Sequence, residues 1–119
     1  MHKTLVFGAS LKLDRYSNVA VNRLLDHNIK TEAFGLRIGD IRGVQVKTNL
    51  EDFQNIETIT LYIGARRQPE YYEDILRIKP KRVIFNPGTE NPELYELLKN
   101  NGIEVVVACT LVLLATNQY

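Results

Sequence analysis

Gly8, Ala9 and Ser10 stand directly after the apolar run Leu5-Val6-Phe7, and Lys12, Arg15 and Ser17 follow closely. Small side chains let a ligand approach the backbone. A helix that begins here leaves free N–H groups and a partial positive charge at its start. Ser17 is placed to cap that helix, which runs toward His27. Buried strand, small-residue turn and helix N-terminus together hold phosphate, and Lys12 and Arg15 are added partners for it. The plain alternative is a tight strand-to-helix turn with no ligand.

Two further groups have the right chemistry. Asn86-Pro87-Gly88-Thr89 forms a small-residue loop after an apolar segment, ahead of a helix capped by Asn91 with Pro92 at its first position. Arg37 follows the second strand, where a nucleotide's ribose or an extra phosphate would arrive. The acidic ribose ligand usual there is absent, and Phe34-Gly35-Leu36 takes its place. The first loop also departs from the GxGxxG fingerprint, with Ser10 at its second glycine position and Leu13 at its third. Ordinary NAD is disfavoured, and a nucleotide with an additional phosphate fits better, as NADP and coenzyme A both have.

These residues need elements to carry them. Apolar runs and alternation predict strands over about 5–7, 29–34, 56–63, 82–85 and 104–108. Val44-Gln45-Val46 reads as a short extended piece. Helices are expected from Ser17 to His27, briefly after the capping-box pattern Thr48-Asn49-Leu50-Glu51, from Pro69 to Ile78, from Pro92 to before Gly102, and over Leu111–Thr116. The alternation predicts an α/β fold with a five-stranded parallel sheet covered on both faces. The expected order is 3-2-1-4-5, reversing between the first and fourth strands. Ligands bind beyond the strand ends at such a reversal, which would put the loops 8–17 and 86–91 on either side of the site.

The chain has 119 residues and a formal net charge of +1. That length fits one domain, residues 1–119. Near-neutrality argues against a nucleic-acid coat, and no apolar run is long enough to span a membrane. With one cysteine, Cys109, no internal disulfide is possible, so a cytoplasmic, reducing home is expected. Cys109 reads either as a small buried hydrophobe or as a thiol at the cleft edge. No spacing suggests a metal site, and no Ser/His/Asp, Cys/His or paired-carboxylate arrangement suggests catalysis.

Gly8-Ala9-Ser10, Lys12, Asp14-Arg15 and Ser17 resemble the Gly-Ala-Ser-x-Lys-x-Asp-Arg-x-Ser opening of the small stand-alone CoA-binding domain proteins. These are similar to the CoA-binding domain of the succinyl-CoA synthetase alpha subunit. The likeness continues through Asn91-Pro92-Glu93-Leu94, Asn101-Gly102-Ile103 and the cysteine after the last strand. It implies a Rossmann-like three-layer α/β/α sandwich holding coenzyme A, or acyl-CoA, by its ADP portion. Gly8, Ala9 and Ser10 would approach the pyrophosphate, with Lys12, Arg15 and Ser17 assisting. Arg37 would replace the basic residue of the Asn-Pro-Lys that relatives often carry. Asn86, Pro87 and Gly88 are expected to line the cleft on a separate ground, the place of their loop at the reversal.

The resemblance implies binding without a reaction. A partner enzyme subunit could supply catalysis in an acyl-CoA synthetase-like complex. The competing reading is an NADP-type redox protein.

Overall fold

A computed structural model describes residues 2–119. Its elements are β1 (Lys3–Ala9), α1 (Tyr16–Asp26), β2 (Lys30–Gly35), β3 (Gly39–Ile41), β4 (Val44–Lys47), β5 (Ile56–Leu61), α2 (Tyr72–Ile78), β6 (Arg82–Phe85), α3 (Pro92–Asn100), β7 (Glu104–Val107) and α4 (Thr110–Ala115). Short 3-10 turns cover Leu50–Asp52 and Ala65–Tyr71. The sheet has seven strands in the order β3-β4-β2-β1-β5-β6-β7. All pairings are parallel except β3 with β4. The architecture is the expected Rossmann-like α/β sandwich. No helix of the described residues is long and apolar enough to cross a membrane.

The strand count and order differ from expectation. The segment predicted as the third strand, now β5, lies directly beside β1, and the place beyond β2 is taken by β4. The cause is the β3–β4 hairpin, which the sequence hides. Its two turn residues, Arg42 and Gly43, both have positive φ, 51° and 90°, as a tight hairpin turn of the primed type requires. Arginine is not a usual residue for that geometry. Here its guanidinium is held by Asp26 at 2.8 Å and by the Asn22 carbonyl at 3.1 Å, while Asp40 accepts from Gly43 N–H at 2.9 Å. After the hairpin the chain crosses back over β1, so the reversal lies between β1 and β5.

Helix starts shift as well. Tyr16, not Ser17, begins α1, because Arg15 is the extended residue before it and makes no side-chain cap. Asn49, not Thr48, caps the turn at Leu50 by accepting from Glu51 N–H. Pro69 sits inside a 3-10 turn, and α2 begins only at Tyr72. Asn91 caps α3 as expected, with Pro92 at its first position.

The strands divide the core in two. Leu5, Phe7, Phe34, Ile59, Leu61, Val83 and Phe85 face Ile75, Leu94 and Leu98 of α2 and α3. Val6 and Ala33 face Val21 and Leu24 of α1 and Leu114 of α4. β5 shows why a central strand alternates in this protein. Thr58 and Thr60, on its other face, are buried but bonded, Thr60 to Thr110 at 2.7 Å and Thr58 to Arg82 at 2.9 Å. Hydroxyls on that face are tolerated because each has a partner.

Candidate functional site

The β1 ladder shifts register between Phe7 and Ala9. Phe7 packs toward α2 and α3, yet Ala9 packs toward α1. A regular strand would put both on one face, so Gly8 is a bulge that turns the chain over. It does this at φ 105°, outside the range of ordinary side chains. A Cβ there would also lie 2.9 Å from Ile63 Cγ1 and 3.2 Å from the Tyr62 carbonyl carbon. The loops after β1 and β5 therefore touch at the reversal. On the other side, a Cβ on Gly35 would strike the Ala9 carbonyl oxygen. Gly8 and Gly35 together let three strand ends close on one point.

Ser10 begins the turn. Its Oγ accepts from Lys12 N–H at 3.1 Å, and its carbonyl accepts from the buried Asn18 side chain at 2.9 Å. Sequence reasoning misses Asn18; the one available signal is an amide on the inward face of the first helical turn. Lys12 and Arg15 are exposed, and among the described residues neither makes an ion pair. Helix α1 starts with no side-chain cap and no acidic residue in its first turn. Asn18 N–H turns back to the Arg15 carbonyl at 3.0 Å, but among the described residues the N–H groups of Tyr16 and Ser17 have no backbone acceptor, and they and the positive dipole end stand beside two cations without ion pairs. Ser17 is 4 % exposed inside that first turn, so its hydroxyl is not at the surface of the loop.

Arg37 is exposed between β2 and β3 and also makes no ion pair among the described residues. Arg66, after β5, is likewise exposed and unpaired, and it joins Lys12, Arg15 and Arg37 on the carboxyl edge of the sheet.

The 86–91 loop lies one strand farther away, beyond β5, because the reversal is between β1 and β5. Asn86 is 1 % exposed and its amide is fully used. It donates to Thr60 Oγ at 2.8 Å and the Leu61 carbonyl at 2.9 Å, and accepts from Thr110 N–H at 2.8 Å. Asn86 thus ties β6 to β5 and α4. Pro87 is exposed, and a Cβ added to Gly88, which has φ 93°, would meet nothing within 4 Å. Gln68 braces this loop against its neighbour, donating to the Ile63 and Thr89 carbonyls at 2.8 and 2.7 Å and accepting from Asn91 at 2.8 Å.

Tyr62 follows β5, and its hydroxyl is buried with no hydrogen-bond partner among the described residues. Burial pushes its phenol up to about 12 from 10.0. The nearby Thr60 and Thr110 hydroxyls, engaged with each other, offset this only in part. The folded state therefore holds this proton more tightly than the unfolded chain, so stability is intact below pH 10 and is lost as pH rises toward 12. The expected loss is about 2–3 kcal/mol. Tyr119, whose phenol is also raised by burial, adds to it. Tyr62→Phe should equal or exceed the parent in stability at pH 7, since an unpaired buried hydroxyl contributes nothing. It should also lose less between pH 10 and 12, as read from urea midpoints.

Cys109 is half-buried and precedes α4. No group of three or more His, Cys, Asp or Glu among the described residues could hold a metal ion.

A family model described as "CoA binding domain" matches residues 2–115. No curated protein matches the chain. Among solved structures, a crystal structure of an uncharacterized protein is 43% identical, with a TM-score of 0.95 over 100% of this chain and 98% of that one. A Thermus thermophilus protein is 19% identical, with a TM-score of 0.88 over 99% of this chain and 90% of that one. A segment of the dinucleotide-forming acetyl-coenzyme A synthetase 1 of Ca. Korarchaeum cryptofilum, in complex with phosphate and ADP, shares the fold. It is 15% identical, with a TM-score of 0.73 over 89% of this chain but 25% of that one.

Proposed function

This chain belongs to the CoA-binding domain family, and from that premise we propose that it holds coenzyme A, or an acyl-CoA, by its diphosphate at the turn between β1 and α1. The observation that carries this reading is the uncapped start of α1 beside unpaired Lys12 and Arg15. An anion there gains helix-end N–H groups, the dipole and two charge-assisted bonds at once. Gly8, Ala9 and Ser10 supply the close backbone, and Asn18 keeps the turn in place.

In this reading Arg37 meets the extra phosphate on the ribose, and Gly88 leaves room for the pantetheine arm to pass. The chain binds and presents the cofactor in the cytoplasm, and a separate chain carries out any chemistry. A synthetase-like subunit role draws on the fold shared with the acetyl-coenzyme A synthetase segment. Copurification with an ATP-grasp chain would favour it.

Calorimetric titration with CoA, acetyl-CoA, dephospho-CoA and NADPH tests the proposal. Saturable CoA binding is expected, with NADPH much weaker. NADPH binding as tight as CoA, or no CoA binding, would overturn it. Arg37→Ala should weaken CoA by roughly 5–30-fold, equivalent to 1–2 kcal/mol for a charge-assisted contact. Its affinity for dephospho-CoA should not change.

A further inference from the structure

Seven large hydrophobic side chains stand exposed among the described residues. Five surround the turn proposed to hold the cofactor. The other two, Val107 at 57% and Val112 at 55%, belong to β7 and to α4, which follows it. β7 ends the sheet, and no strand lies beyond it. Glu104 and Ala108 turn their N–H groups inward, to the Lys81 and Phe85 carbonyls at 2.9 and 3.3 Å. Because a strand alternates, Val105 and Val107 direct their N–H and C=O groups away from β6.

An edge of this kind pairs with another strand unless something blunts it. The opposite edge is blunted: β3 has three residues, with exposed Asp40 at its centre. β7 has no such guard. It runs Glu104-Val105-Val106-Val107 with no proline, lysine or register shift. Val105 and Val106, on opposite faces, are both only half-buried. Glu104 is the sole charged side chain from Ile103 to Ala115.

We propose that β7 pairs antiparallel with β7 of a second copy of this chain, about a two-fold axis at Val106, joining the two sheets into one.

The backbone selects both the register and the occupant. An axis at Val106 sets Val105 opposite Val107 of the second copy, and Val107 opposite its Val105. Every outward N–H and C=O of the two strands then has a partner. An axis at Val105 would call on Ile103 N–H, which is already bonded to the Leu98 carbonyl at 3.0 Å. An axis at Val107 would call on the Cys109 carbonyl, which already accepts from Leu113 N–H at 3.0 Å. The side chains agree with the Val106 register. Val106 meets its own copy, while Val105 and Val107 meet crosswise on the face they share with Val83 and Phe85. Such β-branched pairs stabilise a ladder. Glu104 falls opposite Ala108 of the second copy, so the two carboxylates stay apart. A second copy thus brings matching valines and no repulsion to a self-complementary contact.

The contact is short against the ~800 Å² each partner gives a standard interface, so dissociation in the micromolar range is expected. β1 is three strands from β7. The turn after β1 stays open in the pair, and the inference does not rest on the coenzyme A reading.

Sedimentation equilibrium of the full chain, from micromolar to millimolar concentration, should show monomer and dimer in exchange. Val107→Lys, at an exposed position, should weaken the dimer at least tenfold. Mixing Val107→Lys with Val107→Glu should restore it, since the two side chains lie diagonally across the axis. Circular dichroism should show each variant folded as the parent is. Oxidation in a Cys109→Ser background reads the register without relying on a charged variant. Val106→Cys should crosslink to its own copy, the paired Cα atoms being about 4.5 Å apart. Val107→Cys should not, because its Cα atoms lie beyond the ~7 Å reach of a disulfide. A chain that is monomeric throughout, a dimer indifferent to Val107→Lys, or crosslinking from position 107 equal to that from 106 would overturn the proposal.

Discussion

Gly8→Ala is expected to lower stability by about 3 kcal/mol, the combined cost of a strained backbone and an overfilled contact. Gly8 sits at φ 105°, and an added Cβ would lie 2.9 Å from Ile63 Cγ1. Neither neighbour can yield easily. The Tyr62 carbonyl carbon at 3.2 Å is backbone, and Tyr62 N–H is itself bonded to the Phe7 carbonyl at 2.9 Å. Because a domain of this size has only about 5–15 kcal/mol in hand, the urea midpoint should fall clearly at an unchanged slope. A midpoint within experimental error of the parent would show that the bulge is not held as tightly as its contacts imply. Variant protein that remains folded should also bind CoA more weakly, since the turn is displaced with the bulge.

The second large effect is electrostatic. Lys12→Glu/Arg15→Glu should weaken CoA binding by 100-fold or more, because each lost charge-assisted bond is worth about 1.5–3 kcal/mol and each new carboxylate repels the diphosphate. Both side chains are exposed and unpaired, so the fold should be unaffected. Calorimetry reads the affinity and circular dichroism checks the fold. An affinity within threefold of the parent would remove these residues from the site. Parent affinity should also fall with added salt, as expected for exposed charges.

The strand-turn-helix unit is legible in the sequence because each part has a local cause: Leu5-Val6-Phe7 for a buried strand, Gly8 for the turn, the apolar spacing of Val21 and Leu24 for the helix. The β5 alternation is legible for the same reason. Strand order is not, because it hangs on the hairpin at Arg42-Gly43. Arg42 adopts a left-handed conformation that its residue type does not advertise, held by Asp26 and Asn22 from a distant helix. Without that hairpin β5 is assigned the place beyond β2, and the reversal is expected between β1 and β6 instead of between β1 and β5. The 86–91 loop is then expected to flank the site directly, whereas β5 and the braces from Gln68 intervene.

Residue type is a poor guide wherever a polar side chain has two possible uses. Ser17 has the chemistry of a cap, but the chain enters the helix one residue earlier and buries it. Asn86 has the chemistry of a ligand contact, yet its amide is consumed by Thr60, Leu61 and Thr110. Asn18 carries no motif, and its role in gripping the Ser10 carbonyl depends on the turn folding back onto α1. Such assignments are made by tertiary contacts, which neighbouring residues in the chain do not encode.

A crystal structure of the chain grown with coenzyme A tests the central claim most directly. The prediction is a diphosphate within hydrogen-bond distance of backbone N–H groups between Gly8 and Ser17, with the Lys12 or Arg15 side chain turned onto it. Coenzyme A bound elsewhere on the molecule, with the start of α1 facing only solvent, would contradict it.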